Sequence, residues 1–212
     1  MDGGYVGSNR RPGGGTYIVK VLIIPEDFRK DQYMLKPLFE RMFANFRGSN
    51  TSNAKVIVCT APLLQGVTEA LKENRLIEVF ERYPMIDIFI LCVDRDGIAA
   101  RRDRLDELEK KLGVSRCFFA VDAWEELETW VLAGLDLPKE WVWAEVRREI
   151  SVKERYFEPL ARQRGVSDGP GGGRKALGEE AARRVVTMRQ KCPEDLDALG
   201  VRLERFIARP VM

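Results

Sequence analysis

The chain has 212 residues, of which 45% are hydrophobic and 32% are charged, which is typical of a soluble globular protein with a sizeable core. No apolar run reaches the roughly 20 residues that a membrane-spanning helix needs. The absence of histidine excludes Ser-His-Asp and Cys-His catalysis, and every histidine-ligated metal site. Acid–base chemistry must therefore come from carboxylates, lysines, tyrosines or metal-bound water.

Residues 1–15 are rich in glycine and polar side chains and lack the apolar segment of a secretory signal, so we expect a flexible tail. The four cysteines are far apart in the sequence and form no CxxC pair, which favours buried reduced thiols over a zinc site or disulfides. They are Cys59, Cys92, Cys117 and Cys192. The lack of a secretory signal and the reduced cysteines both predict a cytoplasmic protein.

Four stretches predict β-strands, and each is followed by apolar residues at helical spacing. The predicted strands are 17–24, 54–60, 86–93 and 117–121, and the helices that follow them are 32–46, 67–83, 98–112 and 125–135. Short connections between alternating strands and helices predict an α/β fold over residues 16–137, with a four-stranded, mainly parallel sheet covered on both faces. Beyond Pro138, residues 138–212 predict a helical extension, with helices at about 140–164, 174–191 and 194–207.

The third predicted strand, residues 86–93, is nearly all apolar and ends abruptly in Asp94-Arg95-Asp96-Gly97. Side chains alternate along a strand, so Asp94 and Asp96 should point the same way if the extended geometry persists. Paired carboxylates repel each other unless a cation such as Mg²⁺ neutralises them. The alternative is that Asp96-Gly97 forms a turn and Asp94 caps the next helix.

The order of these elements resembles the Toprim fold, a Rossmann-like fold shared by topoisomerases, primases, OLD-type nucleases and recombination-repair proteins. Glu26 matches the family's glutamate after the first strand, and Asp94 and Asp96 match its Asp-x-Asp after the third. The resemblance covers about residues 16–135. It departs from the family pattern at Asp27, where most members have glycine.

A second match lies in Glu126-Leu127-Glu128-Thr129-Trp130, which resembles the E-x-E-x-W stretch of uncharacterised bacterial Toprim-like proteins. Those proteins resemble the nuclease partners of ABC-type ATPases in anti-phage defence. This chain contains no GxxxxGK[ST] motif, so any ATPase would be a separate partner. Glu126 or Glu128 could add an oxygen ligand, although either could instead stabilise a helix N-terminus through the helix dipole.

The resemblance implies a nuclease that uses Mg²⁺ or Mn²⁺ to cleave phosphodiester bonds, with Glu26, Asp94 and Asp96 as catalytic residues. The same three residues, together with Glu128, would be the metal ligands. Two bound ions would clamp the attacking and leaving oxygens, and metal-bound water would supply the nucleophile.

Positive charge is concentrated in residues 146–191, which hold twelve Lys/Arg and six Asp/Glu, although the net charge of the whole chain is only +2. Such a segment beside an acidic site is the arrangement expected for work on a polyanion, DNA rather than RNA. The alternative is solvated helix faces. The candidate nucleic-acid contacts are Lys30, Arg95, Arg101, Arg147, Arg148, Arg174, Lys175, Arg183 and Arg184.

Three hypotheses follow. The first is a cytoplasmic, metal-dependent Toprim-like nuclease or nuclease subunit, in an anti-phage defence or repair complex with an ATPase. The second is a non-catalytic Toprim-fold binding subunit of such a complex. The third, a phosphotransfer or nucleotide-binding domain in which Asp94 resembles a receiver aspartate, is disfavoured because no matching Thr/Ser and Lys set follows.

Overall fold

The structure, a computed structural model, describes residues 18–46 and 54–208. Its centre is one four-stranded sheet in the order β2-β1-β3-β4, and every neighbouring pair of strands is parallel. The strands are β1 (Lys20–Pro25), β2 (Lys55–Val58), β3 (Ile88–Asp94) and β4 (Phe118–Ala123). The predicted α/β fold is therefore confirmed, and the sheet is wholly rather than mainly parallel. The predicted tail, residues 1–15, lies outside the described residues.

Helices connect the strands and fill the C-terminal part of the described chain. They are α1 (Phe28–Ala44), α2 (Val67–Ala70), α3 (Glu73–Arg82), α4 (Arg101–Leu112), α5 (Glu128–Ala133), α6 (Trp143–Arg148), α7 (Glu158–Gln163), α8 (Arg174–Ala182), α9 (Val185–Lys191) and α10 (Ala198–Ile207). Single π-helical turns precede two of them, Lys153–Phe157 before α7 and Pro193–Asp197 before α10. None of the described helices is long and apolar enough to cross a membrane.

Each face of the sheet has its own hydrophobic cluster because side chains alternate along the strands. Val21 and Ile23 of β1 pack on one side, with α1, α5 and the C-terminal helices. Leu22 and Ile24 pack on the other side, with residues of α3 and α4. A central strand such as β3, covered on both faces, must therefore be apolar along its buried length, as residues 88–93 are.

The start of α1 differs from the prediction. The helix begins at Phe28, ahead of the predicted residue 32, because Asp27 caps it: the Asp27 carboxylate accepts a hydrogen bond from the Arg29 N–H at 2.9 Å. The Asp27 N–H in turn donates to the Asp31 carboxylate at 3.0 Å. Pro37 consequently lies in the middle of the helix rather than near its start.

Two other predicted helices also change. The stretch 67–83 is divided into α2 and α3, and the stretch 98–112 becomes helical only at Arg101. Ile98, which the helical pattern placed inward, is 48% exposed because it lies in the turn before the helix. Leu105, Leu108 and Leu112 are buried, as predicted.

The C-terminal helices belong to the layer that covers one face of the sheet. Leu177, Leu196 and Leu203 share a hydrophobic cluster with β1 and α1. Close approach of α8 to α1 requires glycine at position 178, because a Cβ atom there would lie 2.8 Å from the Tyr33 carbonyl oxygen. The division between residues 16–137 and 138–212 as separate units stays a prediction.

Candidate functional site

The carboxyl ends of β1 and β3 lie side by side, and each carries a predicted site residue. Register pairs Pro25 with Cys92, so Glu26, the next residue after β1, comes beside the end of β3 at Asp94. The backbone N–H of Asp94 donates a hydrogen bond to the Glu26 carboxylate. Sites in open parallel sheets form at this edge, and the structure brings these two carboxylates together there.

Glu26 is half-buried, and its Oε2 atom is shielded from solvent without a hydrogen-bond partner among the described residues. Burial raises the pKa of Glu26, and the nearby charge of Asp96 raises it further, against the opposing effects of Arg101 and of the Asp94 and Val67 backbone N–H groups. The carboxylate is therefore poor in compensating donors, and a cation beside it would be favourable.

A cavity of about 380 Å³ opens beside this carboxylate. Glu26, Asp27 and Arg29 line one side of it, and residues 63–66 line the other. Glu26 can thus be reached from solvent by a hydrated ion or a small substrate group.

Asp94 lies at the end of β3 and is held there by a backbone hydrogen bond. Its Oδ1 accepts a hydrogen bond from the Leu127 N–H at 2.8 Å, so it caps the turn that leads into α5 rather than the helix after Ile98. Burial holds the pKa of Asp94 well above its usual range, and the negative charges of Glu128, Glu26 and Asp31 add to that effect. The structural alternative for Asp94 and the metal-binding prediction are therefore compatible.

Asp96 does not continue the strand geometry that the sequence suggested. Its φ of 53° places it in the left-handed region, so its side chain turns outward and is 45% exposed while Asp94 is half-buried. An Arg101 Nη2 atom lies 3.3 Å from the Asp96 carboxylate. Glu125, which the sequence analysis missed, holds this turn by accepting hydrogen bonds from the N–H groups of Arg95, Asp96 and Gly97.

A second set of charged groups lies behind this edge. Asp31, in the first turn of α1, is buried, and burial raises its pKa to about 7, with Glu128 and Asp27 adding and Arg174 opposing. Glu128 is itself buried and forms an ion pair with buried Arg174 of α8. Among the described residues, five carboxylates, hereafter the carboxylate cluster, thus interact with only two guanidinium groups, those of Arg101 and Arg174. The cluster consists of Glu26, Asp31, Asp94, Asp96 and Glu128.

The fit of a divalent cation rests on Glu26 and Asp94. They are adjacent, they offer oxygen donors, burial raises both pKa values, and Glu26 keeps one oxygen without a hydrogen bond. Mg²⁺ keeps several waters and commonly takes only one or two carboxylates from a protein. Within residues 18–46 and 54–208, no three acidic or cysteine side chains converge as a complete ligand set. Glu128 fits less well than predicted because it pairs with Arg174.

Two predicted nucleic-acid contacts are engaged inside the protein. The Arg174 side chain is buried against Glu128 and the Gly171 carbonyl oxygen. The Arg147 guanidinium is 12% exposed and donates to Asp195 at 2.8 and 3.1 Å. Both guanidinium groups are thus held by partners inside the protein, and contact of Arg147 and Arg174 with nucleic acid stays a prediction.

The other predicted cations are more accessible. Lys30, Arg148, Lys175 and Arg183 are exposed and make no side-chain hydrogen bond or ion pair with the described residues, whereas exposed Arg184 pairs with Asp136. Arg101 is buried against Asp96. Arg95 lies beside the carboxylate cluster, with its guanidinium carbon 4.2 Å from the centre of the Trp124 ring.

Asp195 organises the tryptophans around the site, and the sequence analysis missed it. Its carboxylate accepts hydrogen bonds at 2.8 Å from the Trp124 N–H and from the Trp130 Nε1–H, besides those from Arg147. Trp130 is buried, so its ring packs in the protein interior and is not exposed for stacking on a nucleic-acid base. No local sequence signal marks Asp195, because its partners lie 48 to 71 residues away.

The glycine-rich stretch before α8 forms a defined turn rather than a flexible joint. Gly171, Gly172 and Gly173 all have positive φ. The N–H groups of Gly172 and Gly173 donate to the Gly169 carbonyl oxygen. Those donors are used within the turn, so the stretch does not form a phosphate-binding nest.

Comparison with models of protein families, with curated proteins and with solved structures gave no match.

Proposed function

We propose that this chain is a Toprim-like nuclease or nuclease subunit that uses Mg²⁺ or Mn²⁺ to cleave phosphodiester bonds, in DNA rather than RNA. One observation carries the proposal: Glu26 and Asp94 lie together at the carboxyl edge of a parallel sheet, with raised pKa values and an unpartnered Glu26 oxygen beside a cavity. Surplus negative charge with too few donors favours a cation.

In this proposal Glu26 and Asp94 hold the ion. A bound Mg²⁺ would polarise a phosphoryl oxygen and lower the pKa of coordinated water. Asp96, kept close by Arg101, adds negative charge at the outer side. Arg95, held against Trp124, is placed to contact a phosphate near the cluster. The exposed cations Lys30, Arg148, Lys175, Arg183 and Arg184 would contact flanking phosphates.

The cellular setting is part of the same proposal: a cytoplasmic complex for anti-phage defence or repair, in which an ABC-type ATPase is a separate chain. All four cysteines are free thiols and three of them are buried, as a reducing compartment allows.

A second candidate is a non-catalytic subunit of such a complex. The observation in its favour is that Arg101 and Arg174 already pair with Asp96 and Glu128. Part of the cluster's charge is therefore balanced by the protein itself.

The test compares cleavage of labelled DNA and RNA in Mg²⁺, Mn²⁺ and EDTA, with and without an ABC-type ATPase if one is encoded in a neighbouring reading frame. We expect Asp94→Asn and Glu26→Gln each to lower the cleavage rate by about a hundredfold or more, as for the loss of a metal ligand, while nucleic-acid binding persists. Asn keeps the Leu127 hydrogen bond, so the fold should survive. The matched control is Asp103→Asn, an exposed aspartate of α4.

Parental cleavage by Asp94→Asn would eliminate Asp94 as a metal ligand. A parent protein that cleaves nothing under any of these conditions would favour the non-catalytic subunit instead.

A further inference from the structure

The outer surface where α1 and α8 pack together carries a polar groove of about 540 Å³. Residues three or four apart line it along each helix, because such residues share one helical face. Lys36 and Arg41 come from α1, Lys175 comes from α8, and Arg183 directly follows α8. Two acids, Glu40 and Glu179, lie between these cations.

The four cations of the groove have no partner of their own among the described residues. Their side chains are exposed and form no hydrogen bond or ion pair within the described part of the chain. Many other arginines, such as Arg164, Arg184 and Arg189, have carboxylate partners. Four cations and two acids line this concave surface, and the surplus of two positive charges produces a positive potential that an extended polyanion would neutralise.

One end of the groove adjoins the carboxylate cluster. Lys175 follows Arg174, which pairs with Glu128, and Gln32 of the groove follows Asp31. Both helices run away from the cluster in the same direction, since they pack together and each starts beside Glu128, through Asp31 in the first turn of α1 and Arg174 at the start of α8. A strand lying in the groove would thus lead to the cluster.

We propose that this groove, the α1–α8 groove, binds the phosphate backbone of a single-stranded nucleic acid and guides it to the carboxylate cluster. The inference deepens the proposed nuclease function and rests on it for the identity of the ligand. Lys36 and Arg41, which no sequence pattern marked, join Lys175 and Arg183 as phosphate contacts.

The dimensions fit a single strand. From Gln32 to Arg41 the groove extends along nine helical steps, or about 14 Å, which is about four phosphates at the 3.4 Å rise of a stacked strand. Four cations therefore face about four phosphates. Tyr33 at the end near the cluster offers an aromatic face, and cationic grooves with aromatic platforms are the usual single-strand binding surfaces.

Binding is measured by fluorescence anisotropy with a labelled single-stranded DNA 12-mer, the matching RNA and the matching duplex, in EDTA so that nothing is cleaved. We expect Lys175→Ala/Arg183→Ala to weaken single-strand binding by roughly tenfold at low salt, and to reduce the slope of log affinity against log salt by about 1.4, as for two lost phosphate contacts. The matched control is Arg82→Ala/Lys110→Ala on the opposite face of the sheet, where both side chains are exposed.

A variant that gains affinity guards against misfolding as the explanation. Glu40→Gln/Glu179→Gln removes the two acids of the groove and should tighten single-strand binding several-fold. Parental affinity in both groove variants would overturn the proposal, and so would duplex binding that depends equally on Lys175 and Arg183. Single-strand binding that depends on the groove, in a protein that never cleaves, would contradict the nuclease function and leave the groove supported. Cleavage by the parent protein, together with unaltered single-strand binding in the groove variants, would support the nuclease function and contradict the role of the groove.

Discussion

Asp31 gives the sharpest test of the electrostatics of the carboxylate cluster. Its side chain is buried at the start of α1, where burial and the charges of Glu128 and Asp27 raise its pKa from 3.8 to about 7. A shift of about three units corresponds to ~4 kcal/mol between the two protonation states. Asp31→Asn removes the charge, and its amide oxygen can still accept the hydrogen bond from the Asp27 N–H.

The direction in which the free energy of unfolding changes with pH follows from proton binding by Asp31. The folded protein holds the Asp31 proton up to about pH 7, whereas the unfolded chain releases it near pH 3.8. The free energy of unfolding therefore falls as the pH rises between these values, and the full cost is present above pH 7. Glu26 and Asp94 contribute in the same direction, since burial raises their pKa values too.

Urea or thermal unfolding of Asp31→Asn and the parent, in EDTA at pH 4.5 and pH 8, tests this argument. At pH 8 we expect the variant to be more stable by ~2–4 kcal/mol, which raises Tm by roughly 8 °C in a protein of this size. At pH 4.5, which is still above the unfolded pKa of 3.8, the difference should fall to ~1 kcal/mol. Asp103→Asn, on the exposed face of α4, should show no such pH dependence. A variant destabilised equally at both pH values would refute the reasoning and make Asp31 a simple structural acceptor.

Two further predictions concern packing around the cluster. Arg174→Ala should lower the free energy of unfolding by ~3–5 kcal/mol because it leaves Glu128 buried without its cation. Adding Glu128→Gln should recover much of that loss, measured by urea unfolding. If the double variant is as unstable as Arg174→Ala, the packing of the Arg174 side chain dominates over its charge. Gly178→Ala should cost ~1–3 kcal/mol, since its Cβ would lie 2.8 Å from the Tyr33 carbonyl oxygen. Parental stability of Gly178→Ala would show that α1 and α8 can separate freely at this point.

The sequence determined the fold class and the edge of the sheet where the site would lie. The apolar run at residues 21–24 in β1 and the nearly all-apolar third strand indicated a sheet covered on both faces. Parallel strands then placed Glu26 beside Asp94, because their carboxyl ends meet at one edge. These features depend on local periodicity and topology, which a sequence records directly.

Tertiary structure alone decided which charges would be partners. Arg174 and Arg147 resemble the solvated cations around them in the sequence, yet each is buried against an acid more than forty residues away, Glu128 and Asp195 respectively. Asp31 looks like an ordinary acid in a first helical turn until α1 packs against α5 and α8. Periodicity predicts the face of a helix on which a charge lies, but not the group that the fold places opposite it. For an ionisable side chain, that group and the depth of burial determine whether the charge faces solvent, forms an ion pair or holds a proton.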